Sequence, residues 1–105
     1  MGYQERRVKL VATRAAPHLE AGEQIQTGFI AQTGSTLFTT RVWTIVVTDR
    51  AILVIRKGQA QRGPRQVVLG EPTGVYHTIE LDRSYRVHRD YFAEIATADE
   101  ALRGM

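Results

Sequence analysis

The chain has 105 residues, of which 43% are hydrophobic and 24% are charged, with a formal net charge of +3 and no cysteine. This length and composition predict one folded domain rather than a disordered or fibrous protein. The lack of cysteine excludes disulfides, thiolate nucleophiles and thiolate zinc sites, and no apolar run approaches the ~20 residues of a membrane-spanning helix. The first residues carry charges without a following apolar signal core, which predicts a cytoplasmic protein.

The first predicted element is an amphipathic helix over residues 4–16, within an N-terminal helical extension that covers residues 1–18. Its apolar residues recur at helical spacing: Val8, Val11, Ala15 and Leu19. Pro17 ends the helix because proline lacks a backbone donor and disfavours helical conformation in the residue before it. A strand over residues 24–31 follows. One of its faces is predicted to carry Ile25, Thr27, Phe29 and Ala31.

Residues 42–56 carry the strongest pattern in the chain, two β-branched segments separated by Thr48, Asp49 and Arg50. This pattern predicts a β-hairpin at the centre of a sheet. Both faces of its first strand are largely apolar, so we expect this strand to be covered on both sides, or by a helix on one side. Because arginine disfavours positive φ, we expect a longer or bulged connection rather than a tight two-residue turn.

The second half of the chain predicts a loop at residues 58–64, further strands and a closing helix. The strands are predicted at residues 66–69 and 75–81, with a short one around Tyr85 and Val87. Residues 90–103 predict a helix that Asp90 caps and that ends at Gly104. The whole order is a helix, five or six antiparallel strands within residues 24–88, and a second helix, which predicts an α+β fold.

Two short segments resemble the bacterial pleckstrin-homology-like (PH-like) domains: residues 19–23 (Leu-Glu-Ala-Gly-Glu) and residues 47–53 (Val-Thr-Asp-Arg-Ala-Ile-Leu). The resemblance implies a bent antiparallel sheet or partial barrel over the single domain 1–105, with the helix at 90–103 closing one end. An incomplete barrel leaves strand edges that must be covered or paired. We therefore expect a homo-oligomer, formed through such an edge or through the N-terminal helix.

Positive charge is concentrated in residues 50–65, which hold five basic residues and no acidic one. If the strands run up and down in order, the loops at 32–40 and 58–64 emerge at the same end of the sheet. Five basic side chains are predicted to converge there: Arg41, Arg56, Lys57, Arg62 and Arg65. Arginine forks match phosphate and carboxylate oxygens, which predicts an acidic ligand or a protein partner. The alternative is a solvated loop that maintains solubility.

No catalytic pattern accompanies these residues. His88, Arg89 and Asp90 spell the protein-kinase catalytic tripeptide without its Gly-rich loop or metal-binding triplet, and no third metal ligand lies nearby in sequence. His77 falls on the apolar face of its strand, which predicts a buried neutral imidazole. The sequence thus predicts a non-catalytic binding or assembly module with no cofactor or metal. The alternative is a nucleic-acid-binding accessory protein that uses the same Arg/Lys group with Tyr76, although the acidic C-terminal third disfavours it.

Overall fold

The computed structural model describes the backbone of residues 3–104 and the side chains of residues 5–104. Met1, Gly2 and Met105, which the predicted domain includes, lie outside the described residues. The described chain forms, in order, α1 (Tyr3–Ala15), a 3-10 turn (Ala16–His18), β1 (Ile25–Thr33), β2 (Arg41–Thr48), β3 (Ile52–Arg56), β4 (Gln59–Gly63), β5 (Tyr76–Glu80), β6 (Ser84–His88), a second 3-10 turn (Arg89–Tyr91) and α2 (Phe92–Arg103). The predicted α+β fold is confirmed.

The strands of the described chain form one open, six-stranded antiparallel sheet in the order β4-β3-β2-β1-β6-β5. The predicted hairpin is β2 and β3, near the middle of this sheet. Its connection, residues 49–51, contains no residue at positive φ. Instead the Thr48 hydroxyl accepts hydrogen bonds from the backbone amides of Arg50 and Ala51, at 3.1 and 3.0 Å. A side-chain acceptor therefore closes this turn. The Thr48 amide also donates to the Ala51 carbonyl oxygen at 2.9 Å, so only Asp49 and Arg50 lie between the paired residues, and the expected longer or bulged connection is wrong.

Both faces of the β2–β3 hairpin are buried, as its two apolar faces predicted. On one face, Ile45 and Val47 pack with residues of β1, β5, β6 and α2 in the larger core. On the other face, Val46 packs with α1 in a second, smaller core. Helix α1 lies close to the sheet because Gly28 of β1 has no side chain: a Cβ there would lie 2.5 Å from Cγ1 of Val11. The N-terminal helix thus covers a face of the sheet, not an edge.

Two predicted elements are wrong. Residues 59–63, expected within a loop, form β4, because Lys57 (φ 51°) and Gly58 (φ 75°) make a two-residue turn that returns the chain along β3. Residues 66–69 form no strand. The Asp99 carboxylate of α2 instead accepts hydrogen bonds from the amides of Leu69 and Gly70, at 2.7 and 2.9 Å. This segment is therefore held by a helix rather than by a neighbouring strand.

Two predictions about single side chains are also wrong. A β-bulge between Ile25 and Thr27 places Ile25 in the core beside α1, whereas Phe29 lies in the larger core. Asp90 does not cap α2, whose first turn has no side-chain cap. His88 provides the cap one turn earlier, because its Nδ1 accepts a hydrogen bond from the Asp90 amide at 3.1 Å.

Candidate functional site: a basic cleft beside α1

The structure divides the five predicted ligand-binding residues into two groups. Arg41, Arg56 and Lys57 line one cleft between α1 and the β2–β3 hairpin. Arg62 and Arg65 lie toward the opposite end of the sheet, near the turn at residues 49–51, so the predicted convergence is wrong for these two. The reason is the formation of β4, which runs antiparallel to β3 and carries its charges away from the turn at residues 57–58.

Arg62 binds a buried carboxylate of the chain itself. Its guanidinium donates to both oxygens of Glu23 and, at 3.0 Å, to the carbonyl oxygen of His18. The same carboxylate accepts hydrogen bonds from the Thr48 hydroxyl and from the Glu20 amide. The hydrogen bond from Arg62 lowers the pKa of Glu23 to about 2, although burial opposes this shift. The contact with Glu23 also raises the pKa of Arg62.

This cluster joins two separate segments of the chain, residues 19–23 and residues 47–53. Glu23 comes from the first segment and Thr48 from the second, and their side chains meet in a hydrogen bond that joins the start of β1 to the β2–β3 turn. Within the described chain, these residues bind each other and Arg62. These contacts stabilise the fold and leave the three side chains bound to each other rather than to a ligand.

Arg65 is likewise occupied by acceptors of the chain. It donates to the side-chain oxygen of Gln26 at 2.8 Å, to the carbonyl oxygen of Thr48, and to the carbonyl oxygen of Ala101 at 2.9 Å. Ala101 lies in the last turn of α2, where backbone carbonyls lack helical partners and favour a cation. Arg65 therefore fastens the end of α2 to the sheet.

The cleft has a volume of about 780 Å³, which is within the range of small-molecule sites. It is lined by Thr13, Arg14, Pro17, His18, Thr40, Arg41, Val42, Thr44, Ile55, Arg56, Lys57 and Gly58. None of these described lining residues is acidic. Thr13 and Thr44 also line the cleft, whereas the Thr40 hydroxyl donates to the Thr36 carbonyl oxygen. The cleft therefore offers hydrogen-bond donors and a net positive charge to an anion.

Local contacts hold the cations in place around this cleft. Arg14 of α1 donates from Nη1 to the hydroxyl of Thr44, at 2.8 Å, and so bridges the helix to β2. Arg41 donates from Nη1 to the carbonyl oxygens of Phe38 and Thr40, at 3.3 and 3.2 Å. Lys57 is exposed in the two-residue turn and makes no hydrogen bond or ion pair with the residues that the structure describes. The three cationic groups come from three separate elements.

Arg56 lines the cleft, but its guanidinium group also lies near the Trp43 ring. The Arg56 guanidinium carbon lies 5.6 Å from the centre of a Trp43 ring, and that of Arg83 lies 4.6 Å from it. The indole nitrogen of Trp43 donates to the Thr33 hydroxyl at 2.9 Å. Trp43 packs against the larger core, and its ring is flanked by cations.

Arg14 is the cleft residue that sequence reasoning missed. Its position beside Ala15, on the polar side of an amphipathic helix, predicted only solvent exposure. The strand that Arg14 reaches depends on the position of α1 on the sheet. That position is set by the close contact between α1 and Gly28. A glycine within β1 was the available signal, since a glycine inside a strand often marks a close backbone approach.

The histidines have local structural partners. His77 is half-buried, and its Nε2 lies 2.6 Å from the Leu69 carbonyl oxygen, so Nε2 carries the proton and donates. His88 caps the 3-10 turn before α2. Among residues 3–104, no three His, Asp or Glu side chains are grouped to hold a metal ion. No helix in the same range has the length and apolar character needed to span a membrane.

No protein-family model, no curated protein and no solved structure matches this chain. The chemistry of the cleft therefore rests on its own residues.

Proposed function

We propose that this protein is a non-catalytic binding module that holds an acidic group in the cleft between α1 and the β2–β3 hairpin. The observation that carries the proposal is the convergence of Arg14, Arg41 and Lys57 on one cleft without an acidic lining residue. Guanidinium and ammonium groups bind phosphate or carboxylate oxygens through charge-assisted hydrogen bonds. Thr13 and Thr44 line the same cleft and have hydroxyl groups that can donate further hydrogen bonds, which suits an anion with several oxygens.

We propose that the domain is PH-like, and, from its sequence, that it is cytoplasmic. Two features support the PH-like assignment. The strand order places β1 between β2 and β6, and α2 packs against the larger core. The edge strands β4 and β5 are unpaired on one side within the described chain. Val11 and Ala15 are buried against the sheet, so a homo-oligomer would form through a strand edge rather than through α1.

Nucleic-acid binding has less support than the binding of a small acidic group. Arg62 and Arg65 bind acceptors of the chain itself, so two of the five predicted phosphate contacts are engaged.

The proposal is tested by titrating the protein with inorganic phosphate and following its backbone amides by NMR. We expect the largest shifts at Thr44, Lys57 and Gly58. Arg14→Gln should weaken phosphate binding by about tenfold, because a hydrogen bond to a charged group is worth about 1.5 kcal/mol or more. Arg103→Gln removes an exposed charge from the end of α2 and serves as the matched control.

Lys57→Asn separates binding from stability. Asparagine tolerates the positive φ of this turn better than lysine does, so the variant should be more stable by about 0.5 kcal/mol. It should nevertheless bind phosphate more weakly, because the ammonium group is gone. If Arg14→Gln and Lys57→Asn both bind phosphate as the parent protein does, the cleft is not an anion site.

A further inference from the structure

The loop between β1 and β2 exposes two large apolar side chains at its tip. Leu37 and Phe38 are each 88% exposed. The loop around them is closed by its own hydrogen bonds, since the amides of Thr39 and Thr40 donate to the Thr36 carbonyl oxygen at 3.1 and 3.0 Å. The hydroxyls of Thr36 and Thr39 lie 2.9 Å apart as a further contact. The turn therefore holds both apolar side chains outward in water.

Cations lie directly behind this tip. Arg41 donates to the carbonyl oxygen of Phe38 at 3.3 Å, so its charge lies within the same loop. The loop then leads into the basic cleft, where Lys57 lines the same side as Arg41 and α1 lies across from them. Asp82, in the β5–β6 turn, is paired with Arg83 at 3.2 Å. This end of the sheet thus exposes two apolar side chains, Leu37 and Phe38, with the positive charges of Arg41 and Lys57 behind them.

The small apolar area and the positive charge at this end of the sheet favour a lipid surface over a protein partner. A stable protein interface needs about 800 Å² of complementary surface on each side, and two side chains on a protruding turn provide far less. A lipid interface has no such requirement, because it deforms around a small apolar insertion. Each Lys or Arg near an anionic leaflet adds further attraction.

We propose that the loop at residues 34–40 docks on an anionic lipid bilayer, inserting Leu37 and Phe38 while Arg41 and Lys57 contact the acidic headgroups. This deepens the proposed function, because the headgroups are the acidic groups that the basic cleft would face. The binding is peripheral and reversible, since two side chains bury less apolar surface than one acyl chain.

Vesicle sedimentation tests the proposal. We expect the protein to bind vesicles of phosphatidylcholine mixed with phosphatidylserine, and to bind pure phosphatidylcholine at least about fivefold more weakly. The double variant Leu37→Ser/Phe38→Ser should lose at least about tenfold in affinity for the anionic vesicles. The control is Val68→Ser, which removes an apolar side chain that is 74% exposed on another segment without regular structure.

A depth measurement adds a direct readout of insertion. Phe38→Trp should give fluorescence that brominated lipids in anionic vesicles quench. The parent protein, whose one tryptophan is the half-buried Trp43, should show little quenching. Val68→Trp should behave like the parent protein, because its indole does not lie at the tip.

The outcomes separate this proposal from the proposed function. Vesicle binding that survives in Leu37→Ser/Phe38→Ser, or no vesicle binding by the parent protein, overturns the docking proposal. The parent protein could instead form a dimer and not bind vesicles. If Leu37→Ser/Phe38→Ser is then a monomer, the tip contacts a second copy of the chain, and the docking proposal is overturned. Phosphate titration of the same variant should be unchanged. If phosphate fails to bind the parent protein while tip-dependent vesicle binding remains, the cleft proposal alone is lost.

Discussion

The buried carboxylate of Glu23 allows the sharpest test of what stabilises this fold. Its two oxygens accept hydrogen bonds from Arg62, Thr48 and the amide of Glu20. Glu23→Gln keeps the size of the side chain but removes its charge. The guanidinium of Arg62 then loses its counterion, and one of the two strong acceptors becomes an amide donor. We expect a less stable protein with an unchanged fold.

The magnitude follows from the pKa of Glu23. Its fall from 4.5 to about 2 corresponds to about 3 kcal/mol of stability. Because the Arg62 side chain is 32% exposed, solvent screening reduces the expected loss to about 2 kcal/mol. The folded-state pKa is the lower one, so this stability is fully present above pH 4.5 and is lost as the pH falls toward about 2.

Urea unfolding at a series of pH values measures this effect. The difference in unfolding free energy between the parent protein and Glu23→Gln should be about 2 kcal/mol at neutral pH and should shrink between pH 4.5 and about 2. Glu20→Gln is the control. Its side chain is 58% exposed and lies 3.5 Å from Arg50 and 4.0 Å from Arg62. Exposed ion pairs of this kind contribute little, so its loss should stay within about 0.5 kcal/mol. A difference for Glu23→Gln that is equally small, or that does not change with pH, would refute the reasoning.

Two further predictions concern the contacts that hold the helices. Gly28→Ala should lower the unfolding free energy by about 1–3 kcal/mol, because the added Cβ overlaps Val11 of α1. The double variant with Val11→Ala should be less destabilised than the sum of the two single variants. Asp99→Asn should cost about 1–3 kcal/mol in urea unfolding, because one amide oxygen must replace two carboxylate oxygens that accept from Leu69 and Gly70.

Both predictions can be contradicted by the same urea-unfolding measurements. Additive effects of Gly28→Ala and Val11→Ala would show that the helix and the strand do not meet at this point. For Asp99→Asn the control is Glu100→Gln, on the exposed side of α2. If both substitutions have the same small effect, the segment at residues 66–70 is not held by the Asp99 carboxylate.

Regular patterns made much of the fold predictable. The helical spacing of Val11 and Ala15 and the β-branched segments of the hairpin identified α1, β2 and β3, because each pattern matches the period of one secondary structure. The polar strand β4 has no such pattern, and it forms because β3 offers an unpaired edge. Asp90 was expected to cap α2, but α2 has no side-chain cap, and the His88 imidazole caps the 3-10 turn before it instead.

The candidate site was predictable only in part, since sequence shows charge but not its partners. Arg41 and Lys57 do lie at the cleft, close to where the up-and-down order of strands placed them. Arg62 has the same charge, yet it turns toward a carboxylate 39 residues earlier in the chain. Arg14 comes from the helix, and nothing in its own neighbourhood indicates that it reaches the Thr44 hydroxyl.

The amino-acid sequence alone determined the class of fold, the central hairpin and the excess of positive charge, because periodicity and composition are local properties of the chain. Only the tertiary structure decided which cations form the cleft and which are bound within the chain. It did so through the docking of α1 at Gly28 and the reversal of the chain at Lys57 and Gly58. The first is a long-range contact, whose energy depends on residues distant in sequence. The second is a local turn, but it returns the chain along β3 and so brings Arg62 to a carboxylate 39 residues earlier.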